Sequence, residues 1–144
     1  MSIRTTGNAI IKALEDDGMI VGDAVKPPNC GWSGTPGQSQ FIPYLIVYPT
    51  GGGGVDGPLG DTRSDVQYVY QVTCIGSTRE QADFMRDKVR AVMFNESNFS
   101  ITGRRVLRTI LDVPIATSRD DDVQPPLFFS ADRFRLETSP VKGS

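Results

Sequence analysis

The clearest pattern of apolar and polar positions lies between Asp65 and Ile75. Val66, Tyr68, Tyr70, Val72 and Cys74 fall on one parity, and Gln67, Val69, Gln71, Thr73 and Ile75 on the other. A period of two predicts a strand with one apolar face and one mixed face. A sheet shows such a mixed face where one side meets helices and the other is partly wet. Past Gly76 the period changes. Ala82, Met85, Val89, Val92 and Met93 recur three or four apart, which predicts a helix running to about Phe94. Ser77-Thr78-Arg79-Glu80 predicts its start as a capping box, with a hydroxyl at the cap and a glutamate three residues on. On the opposite side of this helix Arg79 and Asp83, Asp83 and Arg86, and Asp87 and Arg90 stand three or four apart. Each such pair contributes about 0.2–0.5 kcal/mol. Glu80 and Asp83 near the start and Lys88 and Arg90 near the end also suit the helix dipole. These charges therefore have a structural reading, a solvated face or a subunit contact, that competes with a catalytic pair.

The same reasoning lays out the rest of the chain. Ile3, Ile10, Ile11 and Leu14 share one helical face, which predicts a helix over residues 1–17, weakened by Gly7 and ended at Asp17-Gly18. Phe41–Thr50 is β-prone, with Pro43 expected early in the strand or on an edge. Residues 95–103 read as a turn and a short strand, Arg104–Pro114 as a strand, and Ala116–Pro126 as a polar loop. Leu127–Thr138 reads as the last strand, with Phe128, Phe134 and Leu136 on one side and Phe129 and Ala131 on the other. Residues 139–144 read as a loose tail. The fold class that follows is α+β: a single domain over residues 1–144, a mixed or antiparallel sheet with helices packed on one face, and a long glycine-rich loop between two strands.

That loop is Gly51–Asp65, in which six of the first ten residues are glycine. Glycine loses the most backbone entropy on ordering, so residues 50–65 are expected to be a flexible excursion without regular structure. A phosphate-binding loop would need a lysine and a helix after its glycines, and neither follows. Residues 26–38 form a second loop rich in proline, glycine and serine, where Trp32 reads as a local packing anchor rather than a ligand platform.

Composition narrows the chemistry. The chain has 144 residues, enough for one domain with a substantial core. Its formal net charge is −2, which speaks against binding driven by phosphate neutralisation, although Arg104, Arg105 and Arg108 cluster. Histidine is absent, which removes the commonest general base, the imidazole-dependent triads and most zinc sites. Cys30 and Cys74 are too few for a disulfide framework and read as free structural thiols, with a single bridge not excluded by spacing. Asp120, Asp121 and Asp122 form the densest carboxylate cluster; a solvated loop and a weak cation site are its two readings. No signal-peptide core or membrane span is written, so a cytoplasmic site of synthesis is expected. A well-capped helix, a two-faced sheet and no reactive constellation suggest an interaction module, with no catalytic residue, cofactor or metal.

Two stretches carry a resemblance. "YVYQVTCIGSTREQADFMRDKVRAVM", Tyr68 to Met93, and "DDDVQPPLFFSADRFRLETSP", Asp120 to Pro140, resemble the tail terminator, or tail completion, proteins of long-tailed bacteriophages, especially those of actinobacterial hosts. The first helix and the Phe41–Tyr48 strand fit the same order. The resemblance implies a homo-hexameric ring that caps the head-proximal end of the tail tube, stops its polymerisation and offers its other face to the head connector. DNA would pass through the lumen without specific binding, and the protein would reside in the virion at the tail–head junction. Candidate subunit contacts are Gln67, Gln71, Arg79, Asp83, Arg86, Asp87 and Arg90, with Arg79, Arg86 and Arg90 expected to meet acids on a neighbour. The loop residues Gly51, Gly52, Gly53, Gly54, Val55, Asp56, Leu59 and Asp61 are candidates for tube or connector contact, with Asp56 and Asp61 facing the lumen. Another phage neck or head-completion component is the nearest alternative; a small ligand-binding or enzymatic α+β domain is the alternative from a different class.

Overall fold

A computed structural model describes residues 3–54, 66–99, 101 and 104–140. The first helix, α1 (Ile3–Asp16), buries Ile10 and Leu14. It stops at Gly18, whose φ of 90° is open to glycine without strain. There the Met19 amide donates to the Leu14 carbonyl at 3.3 Å and the Gly18 amide to the Glu15 carbonyl at 2.9 Å. This is the doubly bonded glycine cap, and Met19 and Leu14 both enter the core beneath it. Gly7, which weakens the helix intrinsically, lets α1 approach the sheet: a Cβ there would lie 3.2 Å from the Tyr70 ring.

Among the described residues seven strands follow: β1 (Val21–Asp23), β2 (Gly31–Trp32), β3 (Phe41–Ile42), β4 (Tyr44–Gly54), β5 (Val66–Gly76), β6 (Arg104–Asp120) and β7 (Leu127–Pro140). A second helix, α2 (Arg79–Met93), links β5 to a single 3-10 turn, Glu96–Asn98. The main sheet has the order β1-β4-β5-β7-β6, with β2 and β3 forming a separate hairpin. β1 runs parallel to β4 and every other pairing is antiparallel, so the sheet is mixed. The fold is thus a single α+β domain with two helices on a mixed five-stranded sheet.

Register explains the two faces. Leu45 pairs with Cys74, Val47 with Val72, Tyr70 with Phe134 and Tyr68 with Leu136. These residues share the face that receives Ile10 and Leu14 of α1 and Met85, Val89 and Val92 of α2 as one core. Tyr44 and Ile75 point to the other face and join Phe41 in a second cluster, against which Trp32 and Phe129 pack. The Trp32 and Phe41 rings meet edge to face at 5.1 Å, so the tryptophan anchors the β2–β3 hairpin under one end of the sheet.

Four local expectations change. The glycine run is not wholly loop: Gly51, Gly52, Gly53 and Gly54 continue β4 and pair with Val69, Tyr68, Gln67 and Val66. A neighbouring strand supplies the ladder that glycine's own propensity does not favour. Residues 55–65 lie outside the described residues. The polar segment after Pro114 is not a loop either, since β6 runs on to Asp120. β6 is an edge strand, paired on one side by β7 and broken by three register shifts, so it needs no regular apolar alternation. Ser139 and Pro140, expected in the tail, extend β7. The cap of α2 sits one residue later than expected: Thr78 Oγ1 accepts from the Gln81 amide at 3.1 Å, and Gln81 Oε1 accepts from the Ser77 amide at 2.8 Å. Gln81 thus takes the role expected of Glu80.

No described helix is long and apolar enough to cross a membrane.

Gly22 and Gly76 are sites of close approach. A Cβ on Gly22 would lie 1.9 Å from the Val25 carbonyl oxygen, and one on Gly76 would lie 2.8 Å from the Ala82 amide nitrogen at the start of α2. Gly22→Ala and Gly76→Ala are each expected to cost about 1–3 kcal/mol through forced backbone shifts, read as a lower urea midpoint at unchanged slope.

Candidate assembly surfaces

The charged residues of α2 divide between two directions. Arg79 and Asp83 form the expected pair along the helix at 2.8 Å, on the flank that faces β6. Asp83 also accepts from Thr117 Oγ1 of β6 at 2.6 Å. That hydrogen bond, with help from Arg79, holds its carboxyl below the usual range against the opposing effect of burial. Asp87 is exposed. Arg86 and Arg90, by contrast, do not hold the expected partners on their own helix. Both turn inward to Asp132 of β7, whose side chain is 1% exposed.

The geometry at Asp132 is tight. Arg86 donates to Oδ1 from Nε at 3.0 Å and from Nη2 at 2.7 Å, and from Nη1 to Ser130 Oγ at 3.1 Å. Arg90 donates from Nε to Oδ2 at 2.7 Å and from Nη2 to Oδ1 at 3.0 Å. One carboxylate thus faces two guanidiniums, both from α2. Burial alone would raise the Asp132 carboxyl, but the hydrogen bonds from Arg90 and Arg86 outweigh it and hold it below the usual range. Sequence reasoning missed Asp132 and Ser130. The available signal was parity, since both share the face of Phe134 and Leu136 and so place polar groups at core positions.

Gln67 and Gln71 lie on the opposite face of the sheet, away from α2. There Gln67 Nε2 donates to Glu137 Oε2 at 3.3 Å and Gln71 Nε2 to Thr73 Oγ1 at 3.2 Å. Arg135 donates to Gln67 and Arg133 to Gln71, each at 3.4 Å. Arg108 pairs with Glu137, and Arg135 stands 3.6 Å from Asp112. The result is a flat array of long polar side chains on the part of the sheet that the hairpin leaves uncovered. The seven candidate contact residues are therefore on three surfaces: the exterior of α2, its inner flank against β7, and the second face of the sheet. Of the loop candidates, Gly51, Gly52, Gly53 and Gly54 lie in β4, while Val55, Asp56, Leu59 and Asp61 lie outside the described residues.

Cys30 and Cys74 are both free thiols. Burial pushes each above its ordinary value, with Lys26 partly offsetting this at Cys30. Neither is a thiolate near neutral pH. Asp120 accepts from the Asp122 amide at 3.0 Å in an exposed turn. Among the described residues no group of three or more potential ligands could hold a metal ion.

No protein-family model matches the chain, and no curated protein matches it. A solved structure does, described as the virion of native gene transfer agent (GTA) particle. The match covers 96% of this chain and 92% of that one, at 13% identity and a TM-score of 0.56. At that identity the likeness shows a shared fold over nearly the whole of both chains.

Removing one partner of a buried charged pair costs about 3–5 kcal/mol. Asp132→Ala is expected to cost that much in urea unfolding, and Arg79→Ala, at an exposed pair, less than about 1 kcal/mol. The pH dependence has a definite sign. The folded-state pKa of Asp132 is depressed, so its contribution is complete above the unfolded carboxylate value of about 3.9 and is lost as pH falls through the lower folded value. Asp132→Asn should therefore flatten the stability profile below about pH 4. Thermal melts across that range, wild type against variant, measure the difference.

Proposed function

We propose that this chain is a structural virion protein: a ring-forming tail terminator that caps the head-proximal end of a phage-like tail tube, stops its growth and joins it to the head. The observation that carries this reading is the whole-domain likeness to a chain of a gene transfer agent virion, which spans 96% of this chain. The sequence supports it from a second side. The two stretches that resemble tail terminators are β5 with α2, and the end of β6 with β7. They are also the two that meet at Asp132, so the resemblance follows the part of the fold held by that contact.

In this reading the subunit is one of six in a ring. Tube protein sits on one face, a head-connector protein on the other, and DNA crosses the lumen without specific contact. The exterior of α2, with Arg79 and Asp87, its flank beside β6, with Asp83, and the polar sheet face, with Gln67 and Gln71, supply surfaces for neighbours. Arg86 and Arg90 act one step back, by fixing how α2 is presented. Gly51–Asp61 is the segment assigned to tube or connector contact. No bond is made or broken; the protein acts as a shape.

The test uses tails. Negative-stain microscopy of the purified protein with terminator-depleted tails should show rings of six seated on the head-proximal end, and particles lacking the protein should carry over-long tails without heads. Tails that end at normal length and join heads in its absence would overturn the reading. Capture of a portal-side protein and not of tube protein would replace it with a neck or head-completion role.

A further inference from the structure

The two flanks of the sheet carry complementary features. On β6 the register slips between Val106 and Arg108, and the residue at the slip, Leu107, is pushed out of the ladder. It is 44% exposed, with exposed Arg105 and Arg108 beside it. A bulge on an edge strand re-aims a side chain in this way. On the other flank β1 pairs with Leu45–Val47 of β4 and ends at Asp23. Beside that end, between α1 and β4, lies an apolar groove of about 210 Å³. Gly7, Ile11, Val47 and Tyr70 line it, and Asn8 and the exposed Asp23 stand at its rim. A space of that order holds a benzene-sized apolar group.

We propose that Leu107 of one copy seats in the α1–β4 groove of a second copy, with Arg105 beside Asp23. This deepens the ring reading above and rests on it. An apolar knob flanked by arginines matches an apolar groove rimmed by a carboxylate, in both shape and sign. Knob and groove belong to opposite edges of one sheet, β6 and β1–β4. The contact is therefore heterologous: every copy keeps one knob and one groove until the chain of copies closes, as a ring demands. A two-fold dimer would have to seat both knobs in both grooves within one interface and would close at two copies.

The experiment is a cross-link between Asn8→Cys and Leu107→Cys in a Cys30→Ser background, made with a short bismaleimide on the full chain, alone and seated on tails. The double variant should give a ladder that extends beyond dimers and ends at the closed ring. A mixture of the two single variants should stop at dimers, and each single variant alone should give none. Leu107→Asp should weaken association at least tenfold at unchanged circular dichroism. Asp23→Arg and Arg105→Asp should each weaken it, and the two together should restore it. Rings whose double variant gives no cross-linked ladder, or that tolerate Leu107→Asp, would overturn this joint and leave the ring reading standing. Failure to form any oligomer, alone or on tails, would overturn both.

Discussion

The fold depends on one buried carboxylate. Asp132 is 1% exposed and lies in the face of the sheet that packs the main hydrophobic core. An unpaired charge there would be intolerable, so its position requires cations, and α2 supplies two of them one helical turn apart. A buried ion pair is not by itself strong evidence of net stability, since matched apolar groups can do as well. What it does fix is geometry. An apolar stripe tolerates sliding and rotation, whereas five hydrogen bonds from two arginines to Asp132 and Ser130 set the helix at one height and one angle. The outward direction of Arg79 and Asp87 follows from it, as does the reach of Asp83 to Thr117 of β6.

The two faces of the sheet solve different problems. The helix side is a closed core that also buries polar groups, Asp132 and Ser130 on β7 together with Thr6 and Thr138. The other side is closed at one end by the Trp32 hairpin and elsewhere carries arginine, glutamine and glutamate hydrogen-bonded to one another. Long side chains of this kind keep a sheet face soluble while leaving apolar stems available for contact. The same division sets the state of the buried thiol. Cys74 sits in the core on the rung of Ser130, and burial together with the Asp132 charge raises it.

Local periodicity made much of this legible. The alternation from Val66 to Cys74 and the stripe from Ala82 to Met93 are properties of consecutive residues, and they gave the central strand, the second helix and the buried face of each. The glycine quartet was misread because its strand exists through its partner, β5, and not through its own preference. β6 beyond Pro114 was misread because an edge strand with one neighbour can be polar on both sides. The direction of Arg86 and Arg90 could not be read from their helix at all. Local spacing offered them Asp83 and Asp87, and the winning partner lies more than forty residues on. Only the parity of β7, with an aspartate where a hydrophobic residue belongs, pointed to it.

The edges of the sheet then decide what kind of contact the subunit can make. A long edge strand is a template for uncontrolled strand addition. β6 blunts that template with three register shifts, with Pro114, and with charged residues along its length. The same irregularities turn side chains such as Leu107 outward. Association through such an edge must therefore proceed by side chains that recognise a shaped surface, not by extension of the hydrogen-bond ladder. Backbone pairing accepts almost any strand and propagates; a knob flanked by arginines accepts a groove of matching shape and sign. An edge closed to ladder growth and open to specific side-chain contact limits what can add to it, whatever the number of copies.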